Sequence, residues 1–214
     1  MRAGALVRII LASSSPRRRE IFALLGLPFE VVAPEFYEDG SPDCPPEREV
    51  LEFAIGKARS VAKDHRRSLV IGSDTMIVLE GKKIGKPADY ADAGRILGAL
   101  AGKTHRILTS VAILDDLGGP GLNLVEQVLV RMRPYSEADI ERYLALGESL
   151  DKAGAYSIQG GGSALIESIS GDYLAAVGLP LRPIARYLLS RGVKLPVDVD
   201  RLYEEKPFPN WQRF

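Results

Sequence analysis

The sequence predicts a mixed α/β fold in which an elongated sheet is flanked by helices. Strand-like and helix-like segments alternate along the 214 residues, a pattern typical of α/β proteins. Two long β-rich runs, 105–116 and 123–134, are joined by the turn segment LGGPG, which favours a mixed sheet over a purely parallel one. The hydrophobic fraction of 46% is enough for a sizeable core without disulfide or metal cross-links.

Each element follows from periodicity and from its capping residues. Ile21, Leu24 and Leu25 have helical spacing, and this first helix is expected to end at Gly26. Asp89 and the Ser136–Asp139 capping box mark the starts of two later helices. The predicted strands are 6–12, 29–34, 68–74, a hairpin at 76–85 that turns near Gly81, 105–116 and 123–134; the predicted helices are 16–26, 47–66, 89–101, 136–146 and 181–191.

The C-terminal segment reads as an addition to one domain. Residues 1–192 are expected to form a single catalytic domain, and residues 193–214 a peripheral extension of unknown role. This extension ends in PFPNWQRF, which is aromatic enough to dock on the protein's own surface or on that of a neighbour.

Composition excludes several classes of function. Lysine plus arginine and aspartate plus glutamate number 28 each, and this balance argues against a stable nucleic-acid partner. The single cysteine, Cys44, excludes an internal disulfide and fits a reducing cytoplasm, while two histidines are too few for a zinc cluster. No segment has the length of a membrane span or the form of a signal peptide. Carboxylates, lysines and arginines are therefore expected to carry the chemistry of a cytoplasmic protein.

The segment SSSPRRRE, residues 13–20, predicts an anion site. Ser15 suits a helix cap and Pro16 the first helical position, so free N–H groups at this helix start can bind an anion. Arginines follow at once, although a cation at a helix N-terminus is unfavourable by about 0.3–1 kcal/mol. A bound anion explains Arg17 and Arg18; the alternative is that these side chains extend into solvent.

Two other segments place charge among apolar residues. Lys57 falls inside the apolar stripe of the long helix, where it either reaches the edge of the stripe or faces an internal anion. Asp74 and Thr75 are expected at the C-terminal end of a strand, where ligand sites of α/β sheets concentrate. A carboxylate there holds a metal ion or acts as a general base; the alternative is a turn-forming aspartate.

Lys86, Gln159 and Glu38 complete the set. Lys86 precedes a proline that holds its backbone extended at the end of the hairpin. Gln159 precedes three glycines, which permit close backbone approach or a mobile loop, and its amide can read a nucleobase or a sugar. Glu38 lies in a polar loop, where a solvated role is the default. Together, these cations, acids and the helix start suit a polyphosphate bound with a divalent cation.

The order and spacing of these segments resemble the Maf family of nucleoside triphosphate pyrophosphatases. The resemblance covers about residues 8–191 and runs through ILASSSPRRREIFALLGLPFEVVAPEFYED, GSDTMIVLEGKKIGKP, AGRILGALAGKTHRILTSVAIL and LDKAGAYSIQGGG. It implies a fold related to the inosine triphosphatase-like proteins, with two lobes and a central cleft. It also implies cleavage of a nucleoside triphosphate between the α- and β-phosphates, assisted by Mg²⁺ or Mn²⁺.

The resemblance also implies roles for individual residues. Asp74 corresponds to the family's proton acceptor, and whether it is base, metal ligand or both stays open. Arg19 falls at a variable position and is expected to face solvent. The implied catalytic residues are Asp74, Lys86, Lys57 and Arg18; the implied substrate-binding residues are Ser13, Ser15, Arg17, Thr75 and Gln159; the implied metal ligands are Asp74 and Glu38.

Three positions indicate the subtype. Arg17, Thr75 and Gln159 agree with family members that act on dTTP and UTP, whereas those acting on 7-methyl-GTP tend to have tryptophan, glutamine and glutamate there. Ser73 departs from the family's usual alanine and is expected to alter packing more than chemistry. A homodimer is favoured by the resemblance alone. Two alternatives remain: a pyrophosphatase of the same fold for 7-methyl-GTP or another modified nucleotide, and a non-catalytic nucleotide-binding regulator of cell division, for which the family's association with septum formation speaks.

Overall fold

A computed structural model describes residues 7–214 and shows a seven-stranded mixed sheet with helices packed on it. The strands are β1 (Arg8–Ala12), β2 (Glu30–Val32), β3 (Ser68–Leu79), β4 (Lys82–Ile84), β5 (Thr104–Asp115), β6 (Leu122–Met132) and β7 (Ile166–Ser170). The helices are α1 (Pro16–Ala23), α2 (Pro46–Ala62), α3 (Tyr90–Leu100), α4 (Glu137–Leu144), α5 (Tyr173–Val177), α6 (Leu181–Ser190) and α7 (Val199–Glu205). Within residues 7–214, none of these helices combines the length and the apolar character that crossing a membrane requires.

The sheet has a short parallel part and a long antiparallel part. Its strand order is β2-β1-β3-β5-β6-β7, and β4 pairs with the far half of β3. β1 runs parallel to β2 and β3, whereas β5, β6 and β7 continue from β3 in antiparallel order. The expectation of a mixed sheet flanked by helices is confirmed.

The position of Asp74 differs from the sequence prediction. Asp74 and Thr75 do not end a strand but lie in the middle of β3, because β5 pairs with β3 from Leu69 to Val78 without interruption. The parallel partner β1 stops earlier, at the pair Ala12–Gly72. Asp74 therefore lies just beyond the carboxyl end of the neighbouring parallel strand β1 and not at the end of its own strand.

The other boundaries differ from the prediction by a few residues. Caps are confirmed at Ser15, Asp89 and Ser136, the last as a full capping box, and the hairpin turns at Gly81 as expected. The predicted helix 47–66 ends at Ala62, and the predicted strand 6–12 begins at Arg8, with Leu6 outside the described residues. β7 and α5 were not predicted, since each has five residues in a glycine-punctuated segment.

Helix α2 packs on the sheet at unusually close range. Ala54 and Ala58 of α2 belong to a buried cluster with Ile10, Val70 and other apolar side chains of the sheet. Gly72 makes this packing possible, because a Cβ atom there would overlap the carbonyl oxygen of Ala54. Since side chains two apart on a strand share a face, Asp74 points toward the same helix, which carries Lys57 on its buried side.

The C-terminal segment docks on the protein itself. Leu202, Phe208 and Trp211 are buried and belong to the main hydrophobic cluster. The Trp211 indole stacks on the ring of Tyr173, with centroids 5.8 Å apart. The aromatic C-terminal residues therefore dock on the surface of this same chain.

We expect Gly72→Ala to destabilise the fold by about 1–3 kcal/mol, because the added methyl group must displace α2 from β3. The matched control is Gly98→Ala on the exposed face of α3, where no atom lies within 4 Å of the new Cβ. That change should stabilise the protein by about 0.5–1 kcal/mol through helix propensity. Urea unfolding measures both, and equal stabilities for the two variants would contradict the close packing of α2.

Candidate active site

The ten residues singled out from the sequence all line one cleft. The cleft has a volume of about 820 Å³ and lies between the α1 start, the α2 face, the middle of β3 and the loops that precede β7. The ten residues are Ser13, Ser15, Arg17, Arg18, Glu38, Lys57, Asp74, Thr75, Lys86 and Gln159. Their convergence is a structural fact, and their catalytic and binding roles stay predictions.

The start of α1 forms one wall of the cleft. The Ser15 hydroxyl caps the helix by accepting from the Arg18 N–H at 3.4 Å, and Ser13 Oγ accepts from the Ser15 N–H at 3.1 Å. No acidic side chain occupies the first turn, so the helix itself supplies no carboxylate that offsets its positive end. Arg17 is half-buried in the cleft and forms no ion pair within residues 7–214, whereas Arg19 is exposed and lies outside the cleft, as expected.

Arg18 is held in a fixed direction. Its Nε donates to the Gly178 carbonyl at 2.9 Å and its Nη2 donates to Thr75 Oγ1 at 3.0 Å. Thr75 Oγ1 also lies 3.2 Å from Thr109 Oγ1, which donates its own proton to the Ala175 carbonyl at 2.8 Å. Burial lowers the pKa of the Arg18 guanidinium, and the nearby Asp74 carboxylate opposes this shift. Ser73 stands where the family usually has alanine. Its hydroxyl donates to the same Gly178 carbonyl at 3.1 Å, and this bond joins β3 to the residue that follows α5.

At the floor of the cleft, the Lys57 ammonium lies between two carboxylates. Its Nζ is 2.5 Å from Asp74 Oδ1 and 2.5 Å from Glu38 Oε1. The side chains of Lys57 and Asp74 are each only 10% exposed, while Glu38 is half exposed. Lys57 therefore faces anionic side chains inside the cleft and does not extend to the edge of the apolar stripe of α2, which was the other position expected for it.

Burial sets the basicity of Asp74. It raises the pKa of the Asp74 carboxyl above the ordinary aspartate value, while the Lys57 and Arg18 cations oppose that rise. The carboxylate is thus a stronger proton acceptor than an exposed aspartate would be.

The donor set fits a divalent cation bound together with phosphate. Mg²⁺ is usually held by one or two carboxylates, completed by phosphate oxygens and water. Asp74 Oδ2 and Glu38 Oε2 have no hydrogen-bond partner within residues 7–214, because each carboxylate contacts Lys57 through its other oxygen. No cluster of three or more histidine, cysteine or acidic side chains occurs in the described part of the chain. Of the four acidic residues that line the cleft, Asp74 and Glu38 are the two that meet at Lys57, whereas Asp151 pairs with Lys152 and Glu148 accepts from the Gly161 N–H.

The loop that carries Glu38 is anchored on α2. A Cβ atom at Gly56 would overlap the Phe36 ring, so this glycine makes room for the loop on the helix. Glu49 Oε2 accepts from the Ser41 N–H at 3.1 Å and from Lys83 Nζ at 2.6 Å. These contacts tie the loop to both the helix and the β3–β4 hairpin, and so fix where Glu38 meets Lys57.

Gln159 has a free acceptor in the cleft. Its Oε1 is buried and has no donor within residues 7–214. Of the two roles expected for the following glycines, close backbone approach and a mobile loop, the structure shows close backbone approach. A Cβ atom at Gly162 would lie 2.7 Å from the Ser157 backbone nitrogen, and the Gly161 N–H donates to Glu148 Oε2 at 2.9 Å.

Sequence reasoning missed several residues of the cleft. Lys152 lines it with a side chain only 14% exposed and pairs with Asp151 at 2.6 Å. Tyr156 also lines it, and its hydroxyl lies 2.8 Å from Nε2 of the buried His105. Burial lowers the pKa of His105 to about 4, so this imidazole is neutral near pH 7. The segment LDKAGAY beside Gln159 was the available signal for Lys152, whereas nothing in the sequence pointed to His105.

Comparison with known proteins gives a consistent result. The profile of the Maf-like protein family matches residues 8–191. A protein of Dictyoglomus thermophilum named dTTP/UTP pyrophosphatase is 47% identical over 87% of this chain and 97% of its own length. Proteins with the same name from Symbiobacterium thermophilum and Deinococcus radiodurans are each 44% identical, over 86% and 90% of this chain and 94% and 97% of their own lengths. Among solved structures, the Ham1 protein of Staphylococcus aureus aligns partially, at 18% identity over 59% of this chain and 72% of its own, with a TM-score of 0.43.

We expect Lys57→Met to raise the pKa of the Asp74 carboxyl further in metal-free protein, because it removes the cation that most opposes the effect of burial. The carboxyl carbon resonance of Asp74, assigned with Asp74→Asn, measures this pKa by NMR titration. Lys63→Met, an exposed cation on the same helix, should leave it unchanged. An Asp74 pKa that stays the same in Lys57→Met would show that the two side chains do not form the ion pair.

Proposed function

This chain belongs to the Maf-like protein family, and from that premise we propose that it hydrolyses dTTP and UTP to the nucleoside monophosphate and pyrophosphate. The observation that carries the proposal is the buried Lys57 ammonium between Asp74 and Glu38, directly beside the α1 start. A triphosphate supplies the negative charge that these cations and free N–H groups are arranged to bind. We place the reaction in the cytoplasm, which suits a chain with one free cysteine.

The triphosphate is bound by three kinds of donor. The α1 N–H groups and the Ser13 and Ser15 hydroxyls are neutral donors that bind phosphate oxygens. Arg17 and Lys86 contribute cations from the open side of the cleft, where neither has an acidic partner within residues 7–214. Arg18 is fixed by Gly178 and Thr75, so it meets the phosphates in one orientation.

Asp74 accepts the proton of the attacking water. Its raised pKa makes the carboxylate basic enough to take the proton, and its burial excludes bulk water from that step. Lys57 neutralises the charge that develops on the phosphates as the bond between them breaks. Because the carboxylate is the active form, turnover should decrease as the pH is lowered and Asp74 becomes protonated. Since the pKa of Asp74 is raised, this decrease should begin at a higher pH than it would for an ordinary aspartate.

Asp74 and Glu38 would hold a divalent cation, Mg²⁺ or Mn²⁺, through the oxygens that do not contact Lys57. When bound, such a cation neutralises phosphate charge and lowers the pKa of water. Lys57 then orients both carboxylates, since its ammonium contacts one oxygen of each.

Gln159 and Thr75 would contact the nucleoside. The free Gln159 Oε1 is an acceptor, and uracil and thymine both present an N3–H donor that matches it. The Thr75 hydroxyl oxygen accepts from Arg18, and its proton is available to the substrate or to Thr109 Oγ1, whose own proton is donated to the Ala175 carbonyl at 2.8 Å.

Asp74→Asn should lower pyrophosphate release by about 10²–10⁴-fold, the usual loss for a general base, and Lys86→Ala by about 10²-fold or more. Lys82→Ala, an exposed lysine of the same hairpin that lies outside the cleft, is the control and should retain activity. Circular dichroism checks that the variants fold. Turnover near that of the wild type in either cleft variant would remove this mechanism.

A nucleotide panel distinguishes the substrate class. We expect dTTP and UTP to be cleaved with higher kcat/KM than 7-methyl-GTP, and Gln159→Glu to lower kcat/KM for UTP by about tenfold or more, because a carboxylate leaves the base's carbonyl oxygens without the amide donor. Gln127→Glu, on the exposed face of β6, is the matched control. Preferential cleavage of 7-methyl-GTP would favour the alternative enzyme, and nucleotide binding without any turnover would favour the non-catalytic regulator.

A further inference from the structure

The C-terminal segment reaches the loop that carries Gln159. Residues 193–214 lie beyond residues 8–191, the part of the chain that the family profile matches. The segment forms α7 and then a short 3₁₀ turn at Trp211–Arg213. Asn210 and Arg213 of this segment contact the loop that contains the glycines.

Several contacts fix the position of this segment. Tyr203 donates its hydroxyl to Asp172 Oδ2 at 2.8 Å, and Tyr173 donates its hydroxyl to the Pro209 carbonyl at 2.5 Å. The Trp211 indole is 4% exposed and stacks on the Tyr173 ring. The chain on both sides of Asn210 is thus held against the core.

Asn210 bridges the backbone on both sides of Gln159. Its Nδ2 donates to the Ile158 carbonyl at 3.1 Å and to the Gly160 carbonyl at 3.2 Å. Its φ of +61° is in the left-handed region, which asparagine tolerates better than most residues. Farther along the loop, Arg213 Nη1 donates to Ser163 Oγ at 3.3 Å.

The loop needs this restraint because of its composition. Three consecutive glycines have more backbone freedom than any other residues, and ordering them costs more entropy. The direction of the Gln159 side chain depends on the backbone around it, and Asn210 holds two carbonyls there, that of Ile158 in the peptide that precedes Gln159 and that of the next residue, Gly160. A free acceptor gives selectivity only if it is held in place before the substrate binds.

We propose that Asn210 is a positioning residue that fixes Gln159 for recognition of the pyrimidine base, and that the C-terminal segment thereby contributes to substrate selectivity. The role in selectivity rests on the proposed function, whereas the restraint of the loop does not. Asn210 contacts neither substrate nor reacting atoms, so it acts through Gln159.

The test uses Asn210→Gly, which keeps a left-handed backbone accessible and removes only the side-chain amide. We expect KM for UTP to rise about tenfold with little change in kcat, and the selectivity for UTP over CTP to fall by a similar factor, because cytosine lacks the N3–H donor. Gln212→Ala, two residues along in the same 3₁₀ turn, donates only to Glu205 and is the matched control. Fluorescence of Trp211, the chain's single tryptophan, verifies that the segment stays docked.

A double variant separates positioning from general damage to the structure. If Asn210 acts through Gln159, Asn210→Gly in a Gln159→Ala background should lower UTP selectivity no further. Additive losses in the double variant, or unchanged selectivity in Asn210→Gly, would overturn the proposal.

Amide hydrogen exchange in substrate-free protein tests the restraint independently of activity. The Gly160–Gly162 amides should exchange faster in Asn210→Gly than in the wild type, and unchanged exchange would contradict the restraint. Faster exchange in a protein whose wild type releases no pyrophosphate would uphold the restraint and reject the proposed function.

Discussion

The buried contact of the Lys57 ammonium with Asp74 and Glu38 is the interaction on which the rest of the site depends. Two anions and one cation leave the cleft floor negative, while the α1 start, Arg17, Arg18 and Lys86 make its walls positive. Removing one partner of a buried ion pair typically costs about 3–5 kcal/mol, because the other charge is left without compensation. Under the proposed function, this arrangement serves to bind a polyanion and a cation at the same place.

Small residues bring these charges together. Gly72 lets α2 approach β3 closely enough for Lys57 to reach Asp74, and Gly56 lets Phe36 pack on α2, so that the following loop delivers Glu38. On the other side, the Gly178 carbonyl at the end of α5 accepts from Arg18 and Ser73. Asp172, the N-cap of α5, accepts from Tyr203 of the C-terminal segment, so one short helix joins this segment to Arg18.

Much of this could be predicted from the sequence, and the exceptions have physical reasons. The helix caps and the buried side of α2 follow from local patterns, so Ser15, Asp89 and Lys57 lie where the sequence places them. Asp74 was misplaced because a polar pair in an apolar run resembles a strand end, whereas pairing with β5 carries β3 through it. The contacts of Asn210 with the Gln159 loop join residues about fifty positions apart, and no local pattern encodes them. Long-range packing, and not propensity, decides such details.

The proposed reaction cleaves a nucleoside triphosphate between the α- and β-phosphates. Phosphorus NMR of the products formed from UTP with Mg²⁺ or Mn²⁺ tests it most directly, because each product has its own resonances. We expect UMP and pyrophosphate to appear in equal amounts at the same rate. Formation of UDP and inorganic phosphate, or persistence of intact UTP, would contradict the account.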